Sequence, residues 1–557
     1  MRLPIIYVRG YAGSTSGIDK AVDDPFYGFN EGSVHVRVGL QPDPVFYQFE
    51  SPLLRLLMEP HDHPDDVYHL LVQGGQEKYL DSRSNGSVDP MTVWVHRFYD
   101  RAASGWGGRP EAFSLEGAAA SLFVLVKKVL AATGAPRVHL VAHSMGGLIC
   151  RSMIQRVIPD DPTSDRVAAD YVQSLFTYGT PHGGIEFAVG HGLLEKVRDA
   201  VDVNGASIFG ADRMYRYLTP ESRRRPERPE GWAPTTMTEQ EFPLDRVFCL
   251  VGTNPEDYAV ALGLSSAAVG ARSDGLVQIE NAYVPGAHRA FVHRSHSGRL
   301  GMVNSEEGYQ NLKRFLFGDL EVEVRLLGLD QPEPKDDTVW QLETQLSIRG
   351  LPIVMHEQTT AHHCPVQIEW PPTGADRADR PEPLITTFLS SRQAALNRAE
   401  TGRDSGPLRL RHALRLRLIS LEEHDGVFGF GDHLEQVEEW LDTVIVEIEP
   451  ATGPGQHPQA WAIWNTQLPR AVRTWLPTDD EVVHDSDVTD GVWRGVVQLP
   501  PSGKAFLGDE ARLEFTVTGR GAAPAAVAAA SGAAPVGAPP ADEAPPPREK
   551  TRWRWLR

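Results

Sequence analysis

Val138-His139-Leu140-Val141-Ala142-His143-Ser144-Met145-Gly146-Gly147-Leu148 is the stretch whose reading decides the fold of this chain. A buried, strand-like run, Arg137–Ala142, passes straight into small residues, and a helical pattern over Met145–Val157 follows. Strand, tight turn and helix in immediate succession place Ser144 on a strained turn where strand and helix nearly touch. Ala142 and Gly146 supply the small neighbours that such a turn needs. The Ser144 hydroxyl then stands above the C-terminal edge of a sheet, beside the free N–H groups of a helix start. A developing negative oxygen is stabilised at that place.

The surroundings fit an alternating α/β order. Pro4–Arg9 and Thr92–Tyr99 read as strands, and Ser114–Thr133 reads as a helix with Ser114 as N-cap and Gly134 just past its end. Val172–Tyr178, Val247–Val251 and Arg289–His293 supply further strands, and Ser305–Phe317 a closing helix. Residues 190–245 form a long insertion between sheet elements, the usual origin of a cap or lid. Its Arg223, Arg224 and Arg225 sit among Glu221, Glu227 and Glu230 and read as a solvated loop.

Beyond Gly318 the pattern changes to period two. Leu408, Leu410, Leu414, Leu416 and Leu418 share one face of a strand, and Arg409, Arg411, Arg415 and Arg417 the other. His412 falls on the leucine face and is expected to be a hydrogen-bonded core histidine. Residues 1–318 are therefore expected to form an α/β domain and residues 319–520 an all-β, sandwich-like domain. Residues 521–557, rich in Ala, Pro and Gly, are expected to be a disordered tail.

The charge balance excludes several classes. With 74 acidic against 54 basic residues in 557, the net charge of −20 opposes a nucleic-acid partner. Three cysteines, Cys150, Cys249 and Cys364, make no disulfide framework. The apolar start spans only Ile5–Val8, too short for a signal peptide, and no run approaches the ~20 residues of a membrane span. A cytoplasmic location is the expectation. The terminal Arg552-Trp553-Arg554-Trp555-Leu556-Arg557 has the composition for peripheral membrane contact, although six residues anchor weakly.

Residues 1–318 resemble an α/β-hydrolase of the serine esterase and lipase group. Ala142-His143-Ser144-Met145-Gly146-Gly147 is similar to a nucleophile elbow used in that group. Gly179-Thr180-Pro181-His182-Gly183 and Ser273-Asp274-Gly275-Leu276-Val277 resemble two further segments in the expected order. The resemblance implies Ser144 as nucleophile, Asp274 as the acid and His296 as the base, with His293 then His288 as weaker choices for the base. Asp257, in an ordinary turn, is the runner-up for the acid. Pro4–Gly13 resembles the first-strand loop, with Arg9 where the family carries histidine, so the N–H groups of Tyr11 and Met145 are the implied oxyanion hole. His143 and His182, which neighbour the motifs, are candidates for shaping the substrate pocket.

No metal or cofactor is implied. His61, Asp62 and His63 lack a second cluster at a defined spacing, and the adjacent His362, His363 and Cys364 seldom converge on one ion. Gly105-Trp106-Gly107-Gly108 lacks the pattern of a phosphate loop. Cys150 reads as a core residue of the helix behind Ser144. The implied activity is hydrolysis of a carboxylic ester. An acyltransferase with the same three residues, or an inactive scaffold presenting the β-rich part to an unidentified protein, are the alternatives.

Overall fold

The computed structural model describes residues 3–10, 33–38, 44–49, 52–59, 67–70, 76–96, 98, 114–163, 165–185, 206–256, 270–297, 301–330, 338–370, 381–392, 395, 408–424, 433–451, 458–469, 471–472, 475–486 and 491–520. Strand β1 (Ile5–Val8) has all four side chains buried, as a strand covered on both faces must. It is the third strand of a seven-stranded sheet. A separate hairpin, β2 (Ser33–Val38) and β3 (Pro44–Phe49), comes next in the chain. The sheet is completed by β4 (His69–Leu70), β5 (Thr92–Val95), β6 (Val138–His143), β7 (Val172–Tyr178), β8 (Val247–Gly252) and β9 (His288–Val292). Their spatial order is β4-β5-β1-β6-β7-β8-β9, and every neighbouring pair is parallel.

Helices α1 (Pro52–Met58), α2 (Gln76–Asp81), α3 (Leu115–Thr133), α4 (Met145–Ser152), α5 (Ala211–Leu218) and α6 (Glu306–Phe317) accompany the sheet. Helix α3 starts and stops where its caps dictate. The Ser114 hydroxyl accepts from Gly117 N–H, and Gly134 leaves the helix in the left-handed region at φ 68°. Its buried Leu122, Val126 and Val129 lie in one apolar core with Leu140 of β6 and Leu148 and Ile149 of α4. Helix α4 does not run uniformly to Val157 as its pattern suggests, because Met153–Val157 widens to a π turn. With a parallel sheet, flanking helices and a strand–turn–helix at β6, this is the α/β-hydrolase fold.

Residues 206–245, the described part of the insertion, pack onto this core through Met214, Tyr217, Leu218, Met237 and Phe242. The first part, residues 190–205, lies outside the described residues, as do Asp257, His61 to His63, Gly105 to Gly108 and residues 521–557 with the Arg552–Arg557 segment. Cys150 is wholly buried, and burial pushes its thiol well above the ordinary cysteine range. No described helix is long and apolar enough to cross a membrane.

The β-rich part consists of two antiparallel sheets enclosing one core. The first sheet contains β10 (Leu320–Leu327), β14 (Glu382–Leu389), β19 (Val492–Gln498) and β20 (Arg512–Gly519). The second is built around β11 (Thr338–Ile348), β15 (Leu410–His424), β16 (His433–Glu449) and β17 (Gln459–Trp464). Val322, Leu513 and Phe515 of the first meet Leu414, Leu416 and Val444 of the second. The short strands β12 (His356–Gln358), β13 (Val366–Gln367) and β18 (Val482–Val483) extend the second sheet. The arginine face of β15 is only partly solvated. Arg411 is buried, pairs with Glu447, donates to the Trp475 carbonyl at 2.9 Å and lies over the Trp475 ring.

The two parts share a packed seam. Phe388 of β14 belongs to the core containing Phe248 and Phe315, and Arg520 lies over the Phe388 ring at 4.3 Å while donating to the Phe315 carbonyl at 2.7 Å. Along the same seam His293 stacks on His362 at 3.6 Å between centroids, and His356 meets Phe291 edge-on.

His412 departs from expectation: it is a core residue, but neither ring nitrogen has a hydrogen-bond partner among the described residues. Burial holds it neutral and lowers its pKa to about 4. Burial likewise depresses His96, His139, His143, His182, His288, His293 and His356. An unfolded chain binds these protons below its ordinary histidine pKa of ~6.5, whereas the folded chain refuses them until lower pH. Their contribution to stability is therefore complete above ~6.5 and is lost as pH falls toward the folded values of about 4 or 3. Thermal unfolding midpoints followed by circular dichroism should drop steadily between pH 6.5 and 4. His412→Leu should reduce that slope and be at least as stable as wild type at pH 7, since it removes a buried polar ring without a partner.

Candidate active site

The candidate site begins at Ser144, one of two described non-glycine residues with positive φ (φ 54°, ψ −128°). Such a backbone costs on the order of 1–3 kcal/mol and persists only where the surroundings fix it. Here they do. Ser144 N–H donates to the Tyr178 carbonyl at 2.9 Å, and the Thr180 hydroxyl donates to the Ser144 carbonyl at 2.8 Å. A Cβ on Gly146 would stand 2.2 Å from the Val8 carbonyl oxygen, so only glycine allows α4 to start this close to β1. The Met145 N–H lies in the first turn of α4, where helix N–H groups have no internal acceptor.

Asp274 lies beyond β8 and is 1% exposed. Its two carboxylate oxygens do different things. Oδ1 accepts from the backbone N–H groups of Leu276 (3.0 Å) and Val277 (2.8 Å), which fixes the plane of the carboxylate. Oδ2 accepts from His296 Nδ1 at 2.8 Å. A carboxylate cannot donate, so Nδ1 carries the hydrogen and Nε2 is left as the acceptor. His296 Nε2 lies 2.9 Å from Ser144 Oγ, and the Ser144 hydroxyl donates to it. His296 and Ser144 are almost entirely buried, at 2% and 6% exposed. Three residues separated by 130 and 22 positions thus form one hydrogen-bonded chain in which a proton on the serine oxygen has a direct path to an oriented imidazole.

The other candidate histidines are bonded differently. His293 Nδ1 is 3.4 Å from the Thr253 hydroxyl and its ring is stacked on His362. His288 Nε2 donates to the Asp245 carbonyl at 3.0 Å. His182 is wholly buried, with Nε2 3.2 Å from the Thr177 hydroxyl and 3.6 Å from the Cys249 sulfur. His143 is half-buried, and its ring centroid is 4.9 Å from that of His296. Tyr11 lies outside the described residues. Arg9 is buried.

Two contributors escape sequence reading. Thr180 appears in the sequence only as part of a motif, yet its hydroxyl holds the peptide of Ser144. Gly179, at φ 49°, lies against the Asp274–His296 pair: a Cβ there would stand 2.8 Å from Asp274 Oδ2 and 3.1 Å from His296 Nδ1. The glycine of the Gly179-Thr180-Pro181-His182 run is the only available signal, and it does not reveal what the missing side chain would strike.

No family model matches this chain. Two triacylglycerol lipases, of Pseudarthrobacter phenanthrenivorans and Burkholderia plantarii, are each 46% identical to it over 67 residues, 12% of this chain. The match spans only 18% and 16% of those proteins, less than a fifth of their length. Among solved structures, a Bacillus licheniformis lipase in its mature form is 15% identical, covers 57% of this chain and 91% of its own, and has a TM-score of 0.28. A Bacillus subtilis carboxylesterase is 12% identical, covers 57% and 83%, and has a TM-score of 0.20.

Gly179→Ala should slow covalent capture of Ser144 by a fluorophosphonate ~10²-fold, the scale expected when a reacting group is displaced by about an ångström. Thermal unfolding should fall by a few degrees only, and the labelling rate measured by mass spectrometry separates the two effects.

Proposed function

We propose that the chain is a serine hydrolase of carboxylic esters. Ser144 Oγ attacks the ester carbonyl carbon while His296 Nε2 accepts the hydroxyl proton and then gives it to the departing alcohol. Asp274 holds the imidazole in the Nδ1–H tautomer and stabilises the imidazolium that forms. The N–H groups of Met145 and Tyr11 would receive the tetrahedral oxyanion, each donor contributing ~2.7–4 kcal/mol. Water, activated by the same histidine, releases the acid and restores the serine.

The observation carrying this reading is the unbroken chain Ser144 Oγ–His296 Nε2–His296 Nδ1–Asp274 Oδ2, with links of 2.9 and 2.8 Å, anchored at a serine with positive φ. A histidine and a carboxylate meeting by chance would not require the serine to hold a strained backbone. Residues 1–318 would form the catalytic domain, with residues 190–245 as its cap, and residues 319–520 a β-rich companion. The lipase-like relatives support an ester as substrate class.

Wild type should be labelled by a fluorophosphonate at Ser144 and should hydrolyse p-nitrophenyl esters. Ser144→Ala and His296→Ala should each lower kcat by at least ~10⁴-fold, while His293→Ala should remain within a few-fold of wild type. Absence of labelling in folded wild type would favour the scaffold alternative, and faster product release with added alcohol, together with a new ester product, would favour acyl transfer.

A further inference from the structure

His143 directly precedes Ser144 at the end of β6. Its Nε2 lies 2.9 Å from the backbone carbonyl oxygen of His296. A carbonyl oxygen can only accept, so His143 Nε2 carries the hydrogen and donates it. On the other side of the same residue, the His296 N–H donates to the Asp274 carbonyl at 2.8 Å. The two peptide groups flanking the His296 Cα are thus tied to different places: one to the loop of the acid, the other to the strand that carries the serine. The backbone on both sides of His296 is thereby restrained, and the hydrogen bonds to Asp274 and Ser144 orient its side chain.

We propose, on the reading that Ser144 and His296 are nucleophile and base, that His143 is a positioning residue whose side chain locks the backbone of the base to the strand of the nucleophile. Its ring lies beside that of His296, 4.9 Å between centroids, and its hydrogen bond goes to the backbone of the base. Its action is to keep His296 Nε2 at hydrogen-bond distance from Ser144 Oγ while the imidazole gains and loses a proton. A histidine suits the task. Burial, and next the charge of neighbouring His296, lower the His143 pKa to about 3, so it stays an uncharged donor when His296 becomes cationic. A lysine or arginine would put a fixed positive charge beside the imidazolium and oppose its formation.

This role differs from lining the substrate pocket, and the kinetic split separates them. Glutamine places an amide donor at about the reach of an imidazole Nε2, whereas asparagine is one methylene too short. With a p-nitrophenyl ester, His143→Leu and His143→Asn should lower kcat ~10–100-fold, with KM within threefold of wild type. His143→Gln should recover to within threefold of wild-type kcat. The fluorophosphonate labelling rate should follow kcat in all three. Equal kcat for the Gln and Asn variants, or a raised KM with unchanged kcat, overturns the proposal. If His143→Leu does not fold, the Gln–Asn comparison decides alone. Failure of the underlying reading looks different: wild type is then unlabelled, or Ser144→Ala is still labelled.

Discussion

The site depends on one local constraint, the positive φ of Ser144. A serine pays for that conformation, so everything around it must prevent relaxation. Tyr178 accepts its N–H, Thr180 holds its carbonyl, and Gly146 lets the helix start against β1. Each restraint comes from a different place: β7, the loop after it, and the backbone at the end of β1. The parallel sheet is therefore more than a scaffold. Its register sets the distance between the turn and the segments that steady it, and Asp274 and His296 join the same edge from beyond β8 and β9.

What the sequence disclosed and what it withheld follow from the range of the interactions. Strand, turn and helix at Ser144 are contiguous, and the pattern of small residues records the crowding directly. Asp274 and His296 are singled out by short motifs and chain order, and the structure brings them into one hydrogen-bonded chain with Ser144. The clamp from His143 to the His296 carbonyl was not, because a side-chain bond to a backbone oxygen 153 positions away leaves no mark on the residue that accepts it. Gly179 was legible as a motif glycine but not as the floor under Asp274 and His296. His412 shows the opposite failure: period two placed it correctly on the buried face, but periodicity is silent on whether a buried ring finds a partner. The two-residue strands β13 and β18 are too brief to show any period.

The β-rich part uses its charges in a way that a face-by-face reading misses. Arg411 lies on the nominally solvated side of β15, yet the segment through Val472 and Trp475 folds over it and supplies two carbonyls. With Glu447 opposite, a buried guanidinium has its charge paired and several of its donors engaged, which makes burial tolerable. Arg409 repeats the arrangement more openly, over the ring of Trp461 and paired with Glu449.

The seam around Phe388 and Arg520 bears on the order in which the protein is made. Arg520 closes on the Phe315 carbonyl from 205 residues further along the chain. During synthesis the parallel sheet and α6 leave the ribosome well before the strands that cover Phe248 and Phe315. For that interval the nascent chain carries an aromatic face waiting for a partner not yet translated, the kind of surface on which chaperones act and premature chains associate. Slow translation through residues 319–520 would lengthen that exposure.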